Sequence, residues 1–273
     1  MHALLLAAVV PALAGAGTTD LTPQKVSALK QSVVRILGES AVGDVLGTGS
    51  GFVVDASGVV ATNRHVVDGA GSRMVAEFPN GTRKKVLGVL IEHSKRDVAL
   101  VRIEAGEYQP LALGSSESLV ESGAITVIGA PLGLGWTVAP GTISAIREHG
   151  LSQDLRGGEV EEFDDPDGKL LQCDVGGAAG NSGSPVINGA GEVVGIINSG
   201  MGRQGTLMFA VPVEAVKEAM ARAGGTAPLS AAVAVDQGQR ARWRNLGVSA
   251  AFFAALGVYA AVRRRRAAPP RRR

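Results

Sequence analysis

Across residues 32–213 the chain alternates short β-branched and aliphatic runs with Gly, Pro, Asn and Asp turns. The runs are SVVRILG, GFVVD, VVATN, RMVAEF, KKVLGVL and VALVRIE, then AITVIGA, TVAPGTISAI, KLLQCD, SPVIN, EVVGIIN and LMFAVP. Runs of this length bounded by turn formers predict strands, and many short strands at regular spacing predict a sandwich or barrels. The Gly-Ser-rich stretch 113–123, LGSSESLVESG, divides them into two groups of about six. This predicts an all-β body of two six-stranded antiparallel β-barrels rather than one sheet. Val213, Val216, Ala219 and Met220 recur near helical spacing, so residues 213–223 read as a single closing helix.

The hydropathy of the two ends differs from that of the body. Residues 1–16, MHALLLAAVVPALAGA, combine a short start, an apolar run and small residues in A-x-A order, the pattern of a secretory signal peptide. Residues 224–245 begin rich in Ala, Gly and Ser and read as a flexible stalk. Residues 246–262, LGVSAAFFAALGVYAAV, form an uncharged run that as a helix would span about 25 Å, a short transmembrane helix. Arg263 to Arg266 follow it within a basic tail, 263–273. The positive-inside rule then places that tail in the cytoplasm and the body outside the cell membrane. The ordered domain is expected over residues 28–223.

Charge sharpens this division. The formal net charge is +2, yet ten arginines lie beyond Gln239 with no acid among them, leaving residues 1–239 with 17 bases against 25 acids. A body at −8 excludes a broad basic face for nucleic acid. Aromatics make up only 4 %, so the core must come from Val, Leu, Ile and Ala. The single cysteine, Cys173, excludes an internal disulfide and a cysteine-rich zinc site, and reads as a small buried apolar residue. His93 and His149 lack ligand-like neighbours and read as surface residues, so no metal and no cofactor is predicted. The glycine-rich GTGSG at 47–51 leads into a strand, not a helix N-terminus, which argues against a phosphate or dinucleotide site.

Three segments carry candidate chemistry. VVATNRHVV runs a strand into a turn with His65 after it, RDVALVRI opens a strand on Asp97, and GNSGSP is a tight loop with Ser182 between glycines. Each alone is an ordinary structural feature. Together they supply a hydroxyl nucleophile, a base to take its proton and an acid to orient that base, the set nucleophilic acyl transfer requires. His65 and Asp97 fall in the first half and Ser182 in the second, so the site belongs at the cleft between barrels. The glycines would let the backbone N–H groups of Gly180 and Ser182, with Asn181 between them, converge on one point as an oxyanion hole.

The chain resembles the trypsin-like serine proteases of the HtrA/DegP type. The resemblance rests on GTGSGFVVDASGVVATNRHVV, DVALVRIE, GSSESLVESGAITVIGAPLGLGWTVAPGTISAI, GNSGSPVINGAGEVVGIINSG and MFAVPVEAVK, covering about residues 30–220. It implies a chymotrypsin-like fold with His65 as general base, Asp97 as its orienting acid, Ser182 as nucleophile, and Gly180 and Ser182 as oxyanion donors. It also implies a serine endopeptidase acting on unfolded or exposed extracytoplasmic polypeptides, with oligomers common in the family. By the family's geometry the primary pocket is floored near Gly176 and walled by Ile197, Asn198, Ser199 and Gly200. With no Asp at that floor, small or medium aliphatic side chains are expected rather than Lys or Arg, although Asp174 lies close in sequence.

Several features depart from the family pattern. PDZ domains usually follow the protease, whereas here the stalk leads to the membrane span. Ser184 stands where the common motif GNSGG has a glycine, and Arg64 precedes the base where a small or neutral residue is more usual. Residues 153–169 form an acid-rich segment, either a solvated loop or a cover over the cleft. Two other readings stay open: a protease fold kept as a binding or chaperone module, and a C-terminus that is a clipped sorting signal.

Overall fold

The computed structural model describes residues 21–40, 43–70, 73–93, 95–130, 135–148, 168–176, 181–201 and 207–223. The leader, stalk, span and basic tail expected above lie outside these residues, as does the acid-rich segment through residue 167. Among the described residues no helix is long and apolar enough to cross a membrane.

The first half begins with helix α1 (Pro23–Lys30), followed by strands β1 (Val33–Glu39), β2 (Val45–Asp55) and β3 (Val59–Asn63). A short helix α2 (Arg64–Gly69) precedes β4 (Arg73–Glu77), β5 (Arg83–His93) and β6 (Val98–Ile103). The second half holds β7 (Ala124–Gly129), β8 (Thr137–Arg147), β9 (Leu170–Val175), β10 (Pro185–Asn188), β11 (Val193–Met201) and β12 (Leu207–Pro212), closed by α3 (Glu214–Arg222). All twelve strands fall on the twelve predicted runs. Each set of six closes into an antiparallel barrel, in the order β1-β2-β3-β6-β5-β4 and the equivalent β7-β8-β9-β12-β11-β10. The halves thus repeat one topology.

On the strands that meet at the junction of the halves, alternation sorts side chains between two apolar environments instead of between core and water. On β6, Ala99, Val101 and Ile103 fill the first barrel, while Val98 and Leu100 join the layer between barrels. On β12, Met208 and Ala210 fill the second barrel, while Phe209 and Val211 face that same layer. Phe52, Ile128, Ile187 and Ile196 belong to the same layer.

Helices α1 and α3 and Trp136, all outside the strands, tie the halves together. Helix α1 starts at an N-cap, where Thr22 Oγ1 accepts from Lys25 N, with Pro23 in the first turn, where its missing N–H costs no intrahelical bond. The Lys25 ammonium donates to Ala190 O on the β10–β11 turn of the other half. Helix α3 packs against β5 and β6 of the first barrel. Trp136 Nε1 donates to Val33 O (3.0 Å), and the Arg35 guanidinium stacks 5.5 Å from its ring centroid.

Candidate active site

The sequence places a turn between the strand and His65; in the structure α2 continues directly from β3, and His65 stands in its first turn. The junction is fixed by the residue that precedes β6, the strand paired with β3. Arg64 N and Asn63 Nδ2 both donate to Asp97 O, at 3.1 and 3.0 Å. Asp97 takes φ +51, a left-handed conformation that aspartate tolerates better than most residues. That twist, just before β6, turns its side chain back over His65.

The Asp97 carboxylate is 3 % exposed and receives three groups. His65 N donates to Oδ1 at 2.9 Å, His65 Nδ1 lies 2.6 Å from Oδ2, and Asn198 Nδ2 donates to Oδ2 at 2.6 Å. A carboxylate facing Nδ1 favours the tautomer with its proton there, leaving the Nε2 lone pair to accept. Ser182 arrives from the other barrel. Its Oγ donates to Asn198 O at 3.1 Å, so one residue touches both the acid and the hydroxyl. His65, Asp97 and Ser182 are thus gathered at the junction of the barrels around Asn198.

The serine loop is held against β2. Ser50 N donates to Ser182 O (2.8 Å), Gly183 N to Ile197 O (2.8 Å), Ile197 N to Ser184 O (2.8 Å) and Ser184 N to Asn181 O (2.8 Å). Gly183 has φ +86, and a Cβ there would collide with Ser50 O, so glycine is required on both counts. Ser184 is fully buried, and its hydroxymethyl group occupies the space that a side chain on Gly129 would fill. The departure from GNSGG is accommodated at that glycine.

Arg64 pairs with Asp68 one helical turn on, at 3.5 Å. Burial pushes the Asp68 carboxyl above the usual carboxylate range; Arg64 and His65 pull it down, and Asp97 adds to the rise. Burial, together with Asp68, raises Glu92 as well. Asp68 is thus a second carboxylate, besides Asp97, whose charge acts on His65.

The other sequence-predicted site residues fall as follows. Ile197 is buried in the second barrel, and the buried Asn198 side chain donates to Asp97. Ser199 pairs in register with Phe209 and the exposed Gly200 with Met208. Gly176 follows β9 beside open space. Alternation along β9 turns the exposed Asp174 outward while Cys173 and Val175 point inward. Cys173 is fully buried, and burial pushes its thiol up to about 12. Gly180 lies outside the described residues. Sequence reasoning missed Asn63, Asp68 and the carboxylate-holding role of Asn198; only Asp68, four residues after Arg64, carried a local signal.

A family model described as a trypsin-like peptidase domain matches residues 49–196. HhoA of Synechocystis sp., whose name gives it as a serine protease, is 36 % identical over 192 residues, covering 67 % of this chain and 45 % of that protein. A Halomonas elongata protein named "Probable periplasmic serine endoprotease DegP-like" is 35 % identical over 169 residues, 61 % of this chain and 33 % of its own length. The chain therefore spans less than half the length of these relatives. Among solved structures, the HtrA-type protease AlgW with a tripeptide superposes with a TM-score of 0.61 at 26 % identity, covering 72 % of this chain and 61 % of that one.

Proposed function

From the premise that the chain belongs to the trypsin-like peptidases, of the HtrA/DegP type, we propose that it is a serine endopeptidase cutting unfolded or exposed polypeptides by way of an acyl-enzyme. The observation that carries this reading is the Asp97 carboxylate at 2.6 Å from His65 Nδ1, on a residue whose third partner, Asn198, also takes the Ser182 hydroxyl. Ser182 Oγ attacks the substrate carbonyl carbon while its proton passes to His65 Nε2. His65 returns that proton to the departing amine nitrogen, and water then hydrolyses the ester by the reverse sequence. Asp97 holds the ring and offsets the imidazolium charge. The backbone N–H groups of Gly180 and Ser182, flanking Asn181, receive the oxyanion. No cofactor takes part.

The body works outside the cytoplasm, delivered by residues 1–16 and held at the membrane by residues 246–262. The periplasmic name of the Halomonas relative supports that placement. A second reading, a protease fold kept for binding, is favoured by the Ser182 hydroxyl donating to a backbone carbonyl. One experiment separates the two. The full chain should degrade casein and label at Ser182 with a fluorophosphonate probe, and Ser182→Ala should do neither. Casein cleavage equal in the two proteins, or no labelling of the wild type, would sink the endopeptidase reading.

A further inference from the structure

We propose that Met208 plugs the primary specificity pocket and restricts cleavage to bonds that follow small aliphatic residues, Ala and Val above all. The proposal rests on the endopeptidase reading and extends it to the substrate side chain.

The pocket's position follows from the strand that carries Asn198. Asn198 O accepts from the Ser182 hydroxyl, and Gly200 lies two residues further along β11. Strand β10 pairs with β11 only as far as Ile196, so beyond Ile197 β11 has β12 as its strand partner among the described residues. An extended peptide can add to the other edge of residues 198–200, as peptides add to exposed strand edges generally. The side chain preceding the bond presented to Ser182 then lies over Gly200, where no Cβ stands in its way.

Register shows what that side chain meets. Cross-strand partners point to the same face of an antiparallel sheet. Gly200 pairs with Met208, Met208 with Cys173, and Cys173 with Ile143. The irregularity between Ile197 and Ser199 restores the inward face at Gly200, so this row lines the interior of the second barrel at the end nearest the serine. A Cβ on Gly200 would come within 2.9 Å of Met208 Sδ and 3.8 Å of Cε. The thioether therefore fills the space a long substrate side chain needs, and the buried thiol of Cys173 stands behind it. Asp174, facing outward, gives a basic side chain no partner here.

Two measurements on the full chain test the assignment. The first compares short p-nitroanilide peptides ending in Ala, Val, Leu or Phe. The wild type should favour Ala and Val, and Met208→Gly and Met208→Ala should raise the Phe/Val ratio of kcat/KM by roughly tenfold or more, the scale on which pocket volume discriminates. Met208→Leu, which keeps the volume, should keep the wild-type profile. The second reads the pocket without turnover. Cys173 is the chain's single cysteine, so its modification by a methanethiosulfonate should accelerate in Met208→Gly. It should not accelerate in Val194→Ala, which truncates another buried residue of the same interior. An unchanged peptide profile with Ser182 still labelled by a fluorophosphonate overturns the role of Met208 and leaves the endopeptidase reading standing. If no protein cleaves or labels, that reading fails, and the thiol rates decide whether Met208 closes the pocket. Equal rates in wild type and Met208→Gly overturn it.

Discussion

Replacing Asn198 tests whether one buried amide sets the competence of the acid. Asn198 is fully buried and donates at 2.6 Å to the same Asp97 oxygen that faces His65 Nδ1. In Asn198→Ala the backbone bond from Ser182 can persist, but a 3 % exposed carboxylate loses a donor that water cannot easily replace. A hydrogen bond to a charged group contributes about 1.5–3 kcal/mol. If that is lost where the imidazolium forms, kcat should fall roughly 10- to 150-fold with little change in KM. Asn198→Asp separates charge from shape. A second carboxylate 2.6 Å from Asp97 must share a proton with it at low pH, standing in for the amide, and must repel it once both ionise. The variant should lose activity as pH rises through that titration, while the wild type gains activity as His65 becomes neutral. The assay is kcat and KM against pH on one peptide substrate, with melting temperatures as a folding control. Variants that keep kcat within about twofold and follow the wild-type pH profile would refute the reasoning.

Further expectations follow from the geometry. Gly183→Ala forces a side chain into a positive-φ site facing Ser50 O, costing roughly 1–2 kcal/mol in backbone strain alone. It should lower the melting temperature and abolish fluorophosphonate labelling; normal labelling would contradict the loop geometry. Asp68→Asn removes a negative charge that favours protonated His65, so the acidic limb of kcat/KM should move to lower pH. An unchanged acidic limb would place Asp68 outside the field of His65. For Glu214, burial raises the carboxyl, but the Ser116 side chain (2.7 Å) and backbone (3.0 Å), with Ser115 (3.2 Å), more than offset it and leave it below its usual range. A depressed carboxyl contributes stability present above its unfolded value and lost as pH falls through its folded one. Glu214→Gln should therefore destabilise by about 1–2 kcal/mol at neutral pH, and the difference should vanish in acid; denaturant unfolding at both pH values checks it.

Strands such as β1, β3, β6 and β12 were legible because they are buried on both faces, which turns each into an apolar run between turn residues. Helix α1 was not, since PQKVSALK has no fully buried residue and shows no strong apolar stripe; its marks were Thr22 and Pro23. Helix α2 spans six residues, too few for periodicity to register. His65, Asp97 and Ser182 could be singled out because their three segments, each ordinary alone, together supply a base, an acid and a hydroxyl. Asn198 could not be given its part, because the contact that defines it joins residues 101 apart in sequence, across two barrels. Met208 was hidden for a related reason: its place beside Gly200 depends on a shift of register within β11.

The stitching of the serine loop onto the first barrel sets the order in which activity can appear during synthesis. Ser182 is positioned by Ser50, Asp97 by a residue of β11, and the first barrel is covered by α3 from the end of the second. A chain that has emerged only as far as β6 holds His65 and Asp97 without their partner. One that has emerged as far as Ser184 still lacks the strand that steadies the acid. On the proposed reaction, cleavage would wait until β11 and α3 have docked, and a half-made molecule would spare the unfolded chains beside it, its own included.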